Sequence, residues 1–155
     1  ESVFLNDPDT LAALDGEPDH REMLDRLYTA DGMLCPSQYA AARYENARVY
    51  YFSRVRDGEG GATVRAYHGA ELPYTFGTHP RWMTTTETDR ELTEQILSYW
   101  TQFAAAGHPN TDGLPDWPTY SGPDGTVMEF ADTARPVPSL EPVLCRVFRD
   151  AITRP

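Results

Sequence analysis

Apolar positions along this chain follow two periods, and the helical one dominates. Met23, Leu24, Leu27 and Tyr28 recur at three- and four-residue intervals and predict a helix over about 19–29. Asp31-Gly32 is expected to end it. Pro36, at a position suited to a first turn, is expected to open a second helix through Tyr39, Ala40 and Tyr44. The longest stripe, Leu92, Ile96, Tyr99, Trp100 and Phe103, predicts a helix over about 86–106 with these side chains in the core. Glu87, Asp89, Glu91 and Glu94 crowd its start, where acids complement the macrodipole, and Gly107 with Pro109 beyond it forms a stop. After the breakers Pro136 and Pro138, Leu140, Val143, Leu144, Val147, Phe148 and Ala151 keep helical spacing to the end. The stretch up to about Pro18 allows one short helical turn.

The strand signal is sparser. Residues 49–55 are rich in β-branched and aromatic side chains and predict a strand buried on at least one face. A short second strand is expected over 127–130, and 57–62 reads as a glycine-rich loop. Every amphipathic stripe has to be buried against something, and two strands do not supply a sheet for four helices. The 49–55 strand is therefore expected to join a larger sheet whose other strands lie elsewhere. The chain opens at Glu1 without a methionine, so it is expected to be processed, truncated or one piece of a longer polypeptide.

Composition narrows the partners. At 155 residues, 40% hydrophobic and 12% aromatic, the chain suits one ordinary domain with a packed core. A net charge of −11 argues against nucleic acid or an anionic membrane surface as the main partner. No apolar run approaches the roughly 20 residues that span a bilayer, and the opening residues lack the pattern of a signal peptide. Cys35 and Cys145 lie too far apart in sequence for a metal-site motif and are either two buried thiols or one long-range disulfide.

The chemistry concentrates in Tyr67-His68-Gly69-Ala70-Glu71-Leu72-Pro73-Tyr74-Thr75-Phe76-Gly77. A histidine beside a flexible glycine, following a strand and a loop, is placed where functional groups are usually displayed. His20 and His79, in polar surroundings, and His108, in a helix-stop loop, read as structural or solvent-facing. A base at His68 needs a nucleophile to deprotonate, and the chain offers none. The Gly-x-Ser-x-Gly elbow is absent, Ser121-Gly122 sits in a turn-forming tract, and neither cysteine is near a histidine in sequence. Where the chain order is serine, acid, histidine, a C-terminal piece would hold the histidine alone.

The run His68 to Gly77 resembles the catalytic-histidine segment of type B carboxylesterases, the group that includes cholinesterases. Further blocks agree in order. Asp31-Gly32-Met33-Leu34-Cys35-Pro36 is similar to the family's block before a helix, and Val49-Tyr50-Tyr51-Phe52 to its following strand. The run Tyr99 to Asn110 resembles its tryptophan-bearing helix and stop, and Trp117-Pro118 its later Trp-Pro pair. The likeness covers about 20–150 and corresponds to the last third of a family member.

The resemblance implies an α/β class, with 1–155 as the C-terminal segment of a single α/β-hydrolase catalytic domain. Its helices would pack on a mixed sheet supplied mostly by a preceding polypeptide. It implies a serine esterase working through an acyl-serine intermediate, with His68 as general base and acid and no cofactor or metal. The nucleophilic serine, triad acid and oxyanion hole would lie on the preceding polypeptide, the expected partner beside a small ester substrate. Glu71 is read as a structural partner, since the family's acid lies upstream. Tyr67, Tyr74 and Phe76 are candidates for the substrate pocket. Cys35 and Cys145 match positions bridged in the cholinesterase branch; the bridge would imply export to an oxidising compartment, and free thiols a cytoplasmic protein. Two other classes compete: an esterase-like adhesion protein without catalysis, and a small independent binding domain. A serine elbow in the preceding polypeptide would argue against the first, and cooperative unfolding of the isolated chain as a monomer would favour the second.

Overall fold

A computed structural model of the chain describes residues 4, 7–16 and 19–153. The chain divides into two compact units. One comprises Glu1–Val49, Thr119–Thr126 and Pro138–Pro155; the other comprises Tyr50–Pro118 and Val127–Val137.

The first unit is helical. Helix α1 (Pro8–Leu14) starts at Asp7, whose carboxylate accepts from the backbone N–H groups of Asp9 and Thr10. Part of the opening stretch expected to carry this turn lies outside the described residues. Helix α2 (His20–Thr29) is capped by Asp19 in the same way. Asp31-Gly32 does not end it. The backbone passes through a π-helical stretch, Ala30–Leu34, directly into α3 (Cys35–Ala41). The widened turn absorbs the glycine because its flanks are held: Ala30 is fully buried, and Cys35 is bridged to Cys145. Helix α7 (Pro142–Thr153) buries Leu144, Cys145 and Val147 in a cluster with Phe4, Ala30 and Cys35.

Polar contacts close the unit. Arg26 donates twice to the carboxylate of Glu141, at 2.8 and 2.9 Å. Buried Gln38 donates to the Leu140 carbonyl and accepts from the Tyr120 hydroxyl. The disulfide spans 110 positions, and in a chain-entropy account such a closure is worth about 4–5 kcal/mol. Reduction should therefore lower the denaturant midpoint clearly. An unchanged midpoint, or two titratable thiols in the unfolded, unreduced protein, would contradict this.

The second unit holds the sheet and its aromatic core. Strand β1 (Tyr50–Phe52) pairs in parallel with β2 (Thr126–Phe130), with Tyr50 opposite Met128 and Phe52 opposite Phe130. Strand β3 (Ala134–Pro138) completes a mixed three-stranded sheet in the order β1-β2-β3. It incorporates the two prolines expected to be breakers; proline is tolerated there because β3 is an edge strand. The strand expected over 49–55 is only three residues long. Its ladder ends where the N–H groups of Ser53 and Arg54 both donate to the Phe130 carbonyl, at 2.9 and 3.1 Å. Tyr50 and Tyr51 are exposed and Phe52 is half-buried, so neither face of β1 is closed among the described residues.

The glycine-rich loop after it also differs from expectation. Residues Glu59–Val64 form a short helix, α4, because a Cβ at Gly61 would overlap the Arg56 carbonyl, and glycine alone permits that approach. A turn of helix, α5 (Leu72–Thr75), precedes the long α6 (Glu87–Ala106) and packs against it.

Helix α6 ends as expected at Gly107, whose φ is +75° and whose N–H donates to the Phe103 carbonyl at 2.8 Å. Leu92, Ile96 and Tyr99 are buried with Trp117, Met128 and Phe130, and Trp100 packs against them. Phe103 is a correction: it is 49% exposed, because the buried stripe veers off before the last turn. The Tyr99 hydroxyl donates to the Pro115 carbonyl at 2.6 Å, and burial, aided by the Asp116 charge, pushes this phenol up to about 12.

Candidate active site

His68 lies in the second unit on a segment built from consecutive turns. The N–H of Ala70 donates to Tyr67, that of Leu72 to Gly69, that of Thr75 to Glu71, that of Phe76 to Leu72 and that of Thr78 to Pro73. Gly69 and Gly77 turn the chain at φ +92° and +61°, conformations that other residues rarely adopt. Side chains alternate in exposure along the segment. Tyr67, His68, Leu72 and Phe76 are exposed, whereas Ala70 and Tyr74 are buried. The imidazole of His68 has no hydrogen-bond partner among the described residues, so it is presented outward.

The sequence-predicted pocket residues separate. Tyr67 and Phe76 are exposed at 41% and 68%, as His68 is exposed. Tyr74 is a core residue with no exposed surface. Its ring meets Phe52 at 5.0 Å and His79 edge-on at 5.1 Å, with the Arg56 guanidinium 4.7 Å over its face. A cavity of about 10 Å³ walled by Arg54, Arg56, Arg65, Tyr67, Tyr74 and Met83 lies beneath the segment. It has room for about one water and none for an ester substrate. Glu71 contributes its carbonyl to the turn ladder, and its charge, after burial, helps raise the Tyr50 phenol.

The strongest electrostatics centre on Asp89, a residue that sequence analysis treated only as one of several acids at a helix start. Its carboxylate is wholly buried and accepts four hydrogen bonds. Oδ1 takes the Tyr74 hydroxyl at 2.6 Å and Arg54 Nε at 3.0 Å; Oδ2 takes the N–H and hydroxyl of Thr86 at 2.8 and 2.9 Å. Burial disfavours its charge. The bonds from Tyr74, Thr86 and Arg54 outweigh that and hold the carboxyl well below the usual carboxylate range. Arg54 is equally enclosed: its other nitrogens reach Asp132 at 2.9 Å and Asp57 at 2.7 Å. The spacing Thr86-x-x-Asp89 is a capping-box pattern and was the one available signal for this site.

His79, read as structural or solvent-facing, takes the structural role. Nδ1 faces an Arg56 nitrogen at 2.7 Å and Nε2 faces the Thr93 hydroxyl at 2.8 Å. Arginine only donates, so Nδ1 must accept; Thr93 gives its proton to the Asp89 carbonyl, so Nε2 carries the hydrogen. The ring is thereby fixed neutral. Burial first, and then the Arg56 charge, lower its pKa. A histidine locked at both nitrogens is a poor proton carrier, whereas His68 has both nitrogens available.

The described structure is part of an α/β-hydrolase fold, as its solved neighbours are. PNB esterase superposes with a TM-score of 0.68 at 21% identity over 97% of this chain and 31% of its own. A profile of the Carboxylesterase family matches residues 11–143, and the chain belongs to that family. Human (Homo sapiens) cocaine esterase is 30% identical over 123 residues, 74% of this chain and 20% of that protein. The Mus musculus pyrethroid hydrolase Ces2a is 31% identical over 125 residues, again 20% of its length. The chain thus spans a fifth of the length of these two relatives and about a third of that of PNB esterase.

Proposed function

We propose that this chain supplies the histidine of a serine carboxylesterase triad, working with a preceding polypeptide of the same esterase. The observation that carries the reading is the setting of His68: an outward-facing imidazole, free at both nitrogens, on a segment anchored from below, in a carboxylesterase-family chain without a serine elbow. His68 takes the proton of the attacking serine hydroxyl as the serine oxygen bonds to the ester carbonyl carbon. It delivers that proton to the departing alkoxide. It then takes a proton from water as the acyl-serine is hydrolysed, and returns it to the serine.

The preceding polypeptide contributes the serine, the triad acid and the oxyanion hole. It also covers β1, the edge strand of a sheet whose parallel pair calls for covering on both faces. The acyl and alcohol groups contact Tyr67 and Phe76, while Tyr74 acts from beneath. The Cys35–Cys145 bridge supports an extracytoplasmic location, where such bonds persist. No helix of the described residues is long and apolar enough to cross a membrane. Ester turnover by the complete enzyme carrying His68→Ala tests the reading: loss of turnover supports it, and near-normal turnover overturns it.

A further inference from the structure

Between Tyr67 and Gly77 the two side chains that point into the protein are those of Ala70 and Tyr74. Alanine offers a methyl group and no directional bond. Among the described residues, the one side-chain hydrogen bond of this segment is the 2.6 Å bond from the Tyr74 hydroxyl to Asp89 Oδ1, and the Arg56 guanidinium covers the same ring. Asp89 is in turn immobile. It is fastened to the first turn of α6 by Thr86 and to the end of β1 through Arg54. The backbone bonds from Tyr67 to Thr78 then carry this anchor to His68, six positions back along the same turn ladder.

We propose that Tyr74 and Asp89 are positioning residues that set the placement of His68 in ester hydrolysis. The inference rests on His68 being the base. A phenylalanine at position 74 would fill the same volume and keep the contacts with Phe52, Arg56 and His79. It would remove only the bond that fixes the tilt of the turn. A base must sit within hydrogen-bond reach of the proton it moves, and displacement by about 1 Å can cost on the order of a hundredfold in rate. Substrate affinity, which depends on groups outside this contact, is spared.

The test uses the complete esterase with p-nitrophenyl acetate as substrate and compares Tyr74→Phe, His68→Ala and their combination. Tyr74→Phe is expected to lower kcat roughly ten- to hundredfold while KM stays within about twofold. In the His68→Ala background it is expected to change the residual turnover by less than about twofold, because the hydroxyl acts only through the imidazole. Asp89→Asn, which removes the charge that Tyr74 donates to, provides the second arm and should lower kcat in the same way. If His68→Ala is inactive but both folded variants keep the parental kcat, the positioning role is refuted while the triad reading stands. If Tyr74→Phe lowers the residual turnover of His68→Ala as much as it lowers the parent, its effect is generally structural and the proposal falls. Near-normal turnover by His68→Ala alone refutes the underlying triad reading instead.

Discussion

Substituting alanine for His68 in the complete enzyme should reduce kcat by at least about 10⁴-fold, with KM little changed and the thermal midpoint unmoved. The size follows from what a triad base does. Loss of one member typically leaves only the acceleration supplied by the oxyanion hole and substrate binding. The selectivity of the effect follows from the structure. His68 is exposed and makes no hydrogen bond among the described residues, so within this chain its removal breaks no packing and leaves no buried polar group unpaired. Surface changes of that kind stay within about 0.5 kcal/mol of stability. A matched control, His79→Ala, should behave in the opposite way. It strips Arg56 and Thr93 of partners, so its main effect should be on folding. Turnover by His68→Ala within tenfold of the parent would refute the assignment, and steady-state kinetics beside a thermal melt of each variant settles the comparison.

Asp89→Ala should destabilise the fold by about 3–5 kcal/mol, the usual cost of leaving one member of a buried ion pair without its partner. Arg54 would keep its bonds to Asp57 and Asp132, but both carboxylates are largely exposed and screened by solvent, so they offset the loss only in part. Tyr74 would lose its acceptor and α6 the carboxylate half of its capping box in the same step.

The pH dependence of that stabilisation has a definite sign. The folded carboxyl of Asp89 titrates well below its unfolded value of about 3.9. Its contribution is therefore complete above that pH and declines as the solution is acidified through and beneath it. Denaturant unfolding at pH 7 and pH 3 should show a gap between parent and Asp89→Ala that narrows at the lower pH. A gap that is absent at pH 7 would remove the network from the account of stability.

Much of this was open to a reader of the chain alone. Helical spacing located α2, α6 and α7, because each is amphipathic over two or more turns. The His68 segment and the family blocks around it were legible for the same local reason: glycines at φ +92° and +61° and a stop at Gly107 are demands of the backbone, written in residue type. The Cys35–Cys145 bridge followed from resemblance, and its geometry had to be seen.

What the sequence alone determined, then, is the period of the long amphipathic helices, the place of His68 beside its glycine and the family to which the chain belongs. The tertiary structure decided which local preferences were overruled. Asp31-Gly32 became a π-helical continuation because the residues on either side were pinned, and Pro136 and Pro138 entered a strand because it lies at an edge. It also decided which side chains share a site. Tyr74, Asp89, Arg54 and Thr86 are dispersed over 36 positions of the chain, and beyond the Thr86-x-x-Asp89 capping spacing no sequence pattern relates them. Only burial makes their meeting obligatory, since a carboxylate removed from water must find donors wherever the fold brings them.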